Sequence, residues 1–144
     1  MNRYPWLEAC LLGFPGVTTN CKPEWGFLHY RVGRRIFAIT CTPDARYEQH
    51  AGRALVTLRC DTRLIDGLKA RHKDIVPGFY ADHRFWISVY LDGGIPDDEL
   101  RALCSHSYDE AFSRLPKRVR EELLNQEQGA NLLESIRFNQ DNGQ

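Results

Sequence analysis

Three things are scarce in this 144-residue sequence, and each scarcity closes off a class of protein. Long apolar runs come first. Nothing approaches the roughly 20 residues of a membrane-spanning helix. The short apolar stretch at residues 9–12 is also too brief and too polar-flanked for a signal peptide. We therefore expect a cytoplasmic protein with no membrane partner. Paired cysteines are missing as well. Cys10, Cys21, Cys41, Cys60 and Cys104 are odd in number and contain no C-x-x-C spacing. They read as small apolar residues of a reducing compartment rather than a disulfide or zinc framework. A cluster of Cys41, Cys60 and His29 would need neighbouring strands to assemble it, so neither metal nor cofactor is expected. Catalytic constellations are the third absence. His83 beside Asp82, and His106 ahead of Asp109 and Glu110, are acid–base pairs without a nucleophile. The expectation is a non-enzymatic protein.

Net charge is also lacking, with 19 basic and 19 acidic side chains. The balance conceals an asymmetry. Residues 25–85 hold 11 basic and 6 acidic residues, whereas residues 91–144 hold 6 basic and 11 acidic. Arginine outnumbers lysine 15 to 4, and its planar fork suits phosphate and carboxylate. The plain reading is a solvated sheet face beside an acidic helical layer; the functional reading is a basic surface that meets phosphate. What is present in ordinary amounts is core material: 42% apolar and 26% charged residues, the composition of a globular domain of this length.

The stretch at residues 77–99 organises the rest. A Pro77-Gly78 turn leads through Phe79, Tyr80 and Phe85 to an apolar strand at 86–91. The chain then turns at Asp92-Gly93-Gly94 and restarts at Pro96 as a helix with an acidic first turn. Before it, residues 5–14 read as a helix with Trp6, Ala9, Cys10 and Leu12 or Gly13 on its apolar stripe, and 17–24 as a loop. Residues 25–32 and 35–41 form the clearest hairpin, joined by Gly33-Arg34. Period two places Leu28, Tyr30 and Val32 on one side and Phe27, His29 and Arg31 on the other, with Phe37, Ile39 and Cys41 alternating against Ile36, Ala38 and Thr40. A third strand over 53–60 has Val56, Leu58 and Cys60 inward and Thr57 and Arg59 outward. Asp61 caps a helix reaching about His72, with Leu64, Ile65 and Leu68 inward. A fourth strand or tight hairpin is expected around 79–85, with Trp86 in the core.

From Leu100 the pattern Leu103, Cys104, Ser107, Tyr108, Ala111, Phe112, Leu115 is the strongest helical periodicity in the chain. Residues 117–136 read as a further helix, with Lys117–Glu121 and Arg118–Glu122 pairs four apart. No repeat or linker divides the chain. We expect a domain over 1–117 and a C-terminal helical extension over 118–144.

Tyr4-Pro5-Trp6-Leu7-Glu8, Leu12-Gly13-Phe14-Pro15-Gly16-Val17, Phe37-Ala38 and Leu58-Arg59-Cys60-Asp61 stand in the order of a recognisable pattern. Pro77-Gly78-Phe79, Trp86, Leu91-Asp92-Gly93-Gly94-Ile95-Pro96-Asp97-Asp98-Glu99-Leu100, His106-Ser107-Tyr108 and Leu115-Pro116-Lys117 continue it. Together they resemble the MmcQ/YjbR family over about residues 4–117. The resemblance implies an α+β, CyaY-like fold: an antiparallel sheet with helices packed on one face. It also implies a DNA-binding role of the kind suggested for that family, with no enzymatic activity. The family's Pro-Gly-Tyr-His-Met-Asn-Lys-x-His-Trp run departs here. Its histidines fall at Tyr80 and Phe85, its asparagine at Asp82 and its lysine at His83.

Arginines at a hairpin tip with aromatics nearby can straddle a phosphate backbone. The candidates are Arg31, Arg34, Arg35, Arg53, Arg59 and Arg84. Tyr80 and His83 are candidates for a ligand or partner surface at the sheet edge. A second reading is a protein-interaction module or homodimer that uses the open sheet face and the apolar positions of the C-terminal helix.

Overall fold

The computed structural model describes residues 2–22, 27–44, 46–47 and 50–125. Its elements run α1 (Leu7–Leu12), β1 (Val17–Lys22), β2 (Phe27–Val32), β3 (Arg35–Cys41), β4 (Leu55–Arg59), α2 (Thr62–Arg71), β5 (Ile75–Pro77), β6 (Trp86–Tyr90) and α3 (Asp97–Phe112). Residues 117–125 are helical and are called α4. The strands form one six-stranded sheet in the order β1-β2-β3-β4-β6-β5, every neighbouring pair antiparallel. The α+β class holds, with the helices on one face.

That face carries the core. Tyr30, Val32, Val56, Leu58, Ile87 and Val89 point from the sheet into it, and α3 answers with Leu100, Cys104, Tyr108 and Ala111. The burial follows from the three–four spacing along α3 and the two-residue period along the strands. Val119 and Leu123 of α4 pack against the same core, and the two expected pairs, Lys117–Glu121 and Arg118–Glu122, each close to 3.9 Å. The rest of the expected 117–136 helix, and with it Leu132, Leu133 and Ile136, lies outside the described residues.

Six expectations change. Residues 17–22 are a strand, not a loop. Val17, Thr18 and Thr19 are β-branched and suit a strand, and β1 is an edge strand that pairs along its whole length with β2 from Val17↔Val32 to Lys22↔Phe27. Residues 79–85 form no strand but lie in the connection between β5, which ends at Pro77, and its antiparallel partner β6. Alternation fails at Phe37, where the β2–β3 register shifts. That bulge sends both Phe37 and Ala38 into the core at 0% exposure. On α1 the buried residues are Leu7 and Leu11, spaced by four, while Leu12 is exposed. On α2, Leu64 is exposed and only Ile65 and Leu68 face inward. Trp86 lies opposite Arg59 on the other face of the sheet and is half-buried, outside the core assigned to it.

Candidate functional site

The face turned away from the helices has two halves. Its residues follow from register: His29↔Ile39↔Thr57↔Ser88 form one row across β2, β3, β4 and β6, and Arg59↔Trp86 lie one step along. Arg31 faces Ile36 on the same side, at the register shift.

At one end stands the β2–β3 hairpin tip. Gly33 takes φ +57° there, a conformation that a side chain would strain, and Leu115 packs against it. The turn holds Arg34 and Arg35 exposed. Arg59 projects beside them: its Nε donates to the Ile36 carbonyl at 3.3 Å, and its guanidinium lies 4.9 Å from the Trp86 ring centroid. Burial, then the neighbouring positive charges of Arg114 and Arg35, push its pKa down from the usual arginine value, and Glu110 offsets part of this. The Arg31 Nε is buried and makes no hydrogen bond among the described residues. No carboxylate of the described residues comes within ion-pair distance of Arg31, Arg34, Arg35 or Arg59.

The other two candidate arginines are neutralised where they stand. Arg53 forks onto Asp92 at 2.7 Å and reaches Asp74 at 3.9 Å, with its guanidinium 3.5 Å over the Tyr90 ring. Arg84 pairs with Asp82 at 2.8 Å. The latter repeats a local device: in Asp44/Arg46, Asp61/Arg63 and Asp82/Arg84 the carboxylate accepts both the backbone N–H and the guanidinium of the arginine two residues on. The arginine holds each carboxyl below its usual range, to about 2 for Asp61 and Asp82. Arg53 and Arg84 are thus ion-paired, unlike Arg31, Arg34, Arg35 and Arg59 among the described residues. The Asp-x-Arg spacing was the sequence signal for Arg84; Arg53 had none, because its partners lie 39 and 21 residues away.

The other half of the face is roofed. Thr42, Pro43, Asp44, Arg46 and Tyr47 after β3 and Phe79 and Tyr80 after β5 border a partly open cavity of about 680 Å³ over it. Phe27, His29, Ile39 and Thr57 floor it; Tyr47, Phe79 and Tyr80 wall it. The rings meet edge to face, Tyr47–Phe79 at 5.0 Å, Phe79–Tyr80 at 5.1 Å and Phe27–Tyr80 at 6.1 Å between centroids. The Tyr47 and Tyr80 hydroxyls are hydrogen-bonded at 2.8 Å. Beneath the roof Cys41, Leu55 and Tyr90 form a second, smaller core, and the His50 ring meets the Tyr90 hydroxyl at 2.7 Å. Tyr80 thus sits at the rim of a real cavity. His83 does not reach it; it is exposed in the following turn. Tyr47 and Phe27 were not singled out from sequence, since an isolated tyrosine in a polar loop has no periodicity to report it.

The quoted motifs hold the fold together. From His106-Ser107-Tyr108, the His106 Nε2 accepts the Asp61 N–H at 3.0 Å, the Ser107 hydroxyl accepts the Arg59 N–H at 2.8 Å, and the Tyr108 hydroxyl donates to the Pro15 carbonyl at 2.6 Å. The Tyr4 hydroxyl donates to the Ile95 carbonyl at 2.8 Å. Histidine 106 is therefore an acceptor that ties α3 to the start of α2, not an acid–base partner of Glu110. Cys60 lies in the main core and Cys41 in the smaller one, with burial pushing their thiols to about 11 and about 12. Among the described residues no group of three His, Cys, Asp or Glu side chains is placed to hold a metal ion. Among them, too, no helix is long and apolar enough to cross a membrane.

Fold and site together define a small antiparallel α+β domain with one helix-covered face and one divided between arginines and an aromatic cavity. The chain belongs to the YjbR family, whose profile matches residues 12–110. It is 27% identical over 118 residues to the protein named Uncharacterized protein YjbR of Escherichia coli K12, covering 82% of this chain and 93% of that one. The crystal structure of Deinococcus radiodurans protein DR2400, domain DUF419, superposes with a TM-score of 0.72 at 23% identity, covering 85% of this chain and 88% of that one. A Pseudomonas syringae crystal structure gives 0.65 at 16% identity, covering 77% and 99%. At these identities the two structures speak for the fold alone.

Proposed function

We propose that this chain is a non-enzymatic, cytoplasmic DNA-binding protein that holds the phosphate backbone on the arginine end of its free sheet face. One observation carries the reading: Arg31, Arg34, Arg35 and Arg59 gather at the hairpin tip and adjoining strand with no carboxylate partner among the described residues, whereas Arg46, Arg53, Arg63 and Arg84 are each ion-paired. Four unneutralised guanidinium groups on one hairpin and the adjoining strand repel one another, and a polyanion removes that repulsion. Arg59, whose pKa is lowered first by burial and then by Arg114 and Arg35, feels one of these neighbours directly. The zero overall charge does not oppose the reading, because the compensating carboxylates pair elsewhere or lie in the C-terminal third.

The test is a salt titration of binding to a DNA duplex by fluorescence anisotropy. Affinity is expected to fall steeply with salt, and Arg34→Ala/Arg35→Ala to flatten the log–log slope by about 1 for each phosphate contact removed. Arg84→Ala, which removes a guanidinium already paired, should leave the slope unchanged. No measurable binding at low ionic strength rejects the reading.

A further inference from the structure

We infer that the aromatic cavity on the same sheet face receives an unpaired base, so that the preferred nucleic acid is single-stranded; this rests on the DNA-binding reading above. The cavity, about 680 Å³, falls within the range of small-ligand sites, roughly 300–1,000 Å³, and takes a base with its sugar. Four aromatic rings, Phe27, Tyr47, Phe79 and Tyr80, line it together with Ile39, Pro43 and the Asp44–Arg46 pair. Tyr80 stays 69% exposed although three other rings touch it, so most of its ring remains open to a partner. It is also the one non-glycine residue with positive φ among those described, at 56°. Holding a tyrosine in that region is costly, and here the Tyr47 hydroxyl and the Phe27 and Phe79 rings fix it there.

Position supplies the rest. Phe27 and His29, which line the cavity, and Arg31, which does not, alternate on one side of β2. Each two-residue step covers about 7 Å, comparable to the separation of successive phosphates in an extended strand. A chain whose base enters the cavity therefore carries its backbone along β2 toward Arg31 and the hairpin tip. Aromatic side chains take bases by stacking, and that requires a base whose faces are free. In a duplex both faces are already stacked, so a duplex meets the arginines and leaves the cavity unfilled.

The experiment compares a short fluorescein-labelled single strand with the duplex of the same sequence, at one low salt concentration. The single strand is expected to bind at least about five-fold tighter. Tyr47→Ala/Tyr80→Ala should erase that preference with duplex affinity unchanged, and Tyr80→Phe, which keeps the ring, should preserve it. In the unmodified protein the aromatic NMR signals of Tyr47 and Tyr80 should move on adding the single strand and not the duplex, a readout independent of how the double variant folds. Equal affinities, or tyrosine signals that do not respond to the single strand, overturn the inference while leaving DNA binding in place. Binding to neither nucleic acid overturns both.

Discussion

Gly93 shows how tightly single positions are determined. A Cβ built there would press on the Asp74 carboxyl group, with both oxygens within 2.8 Å. Asp74 is nearly buried and has little room to retreat, since its carboxylate accepts the Gly94 N–H at 3.0 Å and faces Arg53 at 3.9 Å. Gly93→Ala is therefore expected to destabilise the fold by about 1–3 kcal/mol. It should appear as a lower urea midpoint with an unchanged slope. Gly94→Ala, whose added Cβ meets nothing within 4 Å, should change the midpoint little. The two adjacent glycines look alike in the sequence; only the approach of Asp74 from 19 residues away separates them. Residue-level reading succeeded where the cause is local. Asp61 caps α2 as expected, accepting the Arg63 N–H at 2.9 Å, because a cap and its amide are two residues apart.

Among the elements, α3 is both the most legible and the most heavily used. Its apolar stripe is written at three–four spacing, and its acidic first turn, Asp97, Asp98 and Glu99, suits the exposed amides at its start. Periodicity puts Ser107 on that stripe, and it is fully buried; what periodicity does not tell is where its hydroxyl goes. Its hydroxyl accepts from the Arg59 N–H and donates to the Phe37 carbonyl, joining the helix to β4 and to the bulge in β3. Ser107→Ala leaves both backbone groups unpaired and is expected to cost about 1–3 kcal/mol by chemical denaturation. Ser105→Ala, on the exposed side of the same helix, should stay within about 0.5 kcal/mol of the parent. β1 is the opposite case, an element whose residues show no apolar alternation although Val17, Thr18 and Thr19 suit a strand. Its existence depends on the free edge of β2, which no local pattern in residues 17–22 describes.

For the whole molecule, the distribution of ion pairs sets the response to acid. Asp44, Asp61, Asp82 and Asp92 each have a carboxyl pKa lowered chiefly by the hydrogen-bonded arginine, to about 2 for Asp61 and Asp82. In the unfolded chain an aspartate titrates near 3.9, so between that value and about 2 the unfolded state binds more protons than the folded one. These groups thus contribute stability above pH of about 4, and that contribution is lost as pH falls toward 2. The melting temperature should therefore drop across this window. In Asp61→Asn/Asp82→Asn the drop should be shallower, while the variant melts lower than the parent at neutral pH. A parent melting temperature that stays flat from pH 4 to 2 contradicts the assignment.

The sequence by itself determined the class of fold, the central hairpin, the cap of α2, the apolar stripe of α3 and the resemblance to the family. The hairpin, cap and stripe rest on interactions between residues a few positions apart, or on patterns of period two and 3.6, and the family resemblance on the order of short motifs along the chain. The tertiary structure alone decided which arginines are free and where the aromatic residues converge. Arg34 and Arg53 are chemically the same, and one is exposed while the other is held by Asp92 because the chain returns beside it 39 residues later. Tyr47 and Tyr80 share a hydrogen bond across 33 residues for the same reason. Charge neutralisation and ring contact act over a few ångströms of space, and separation along the chain does not record that distance.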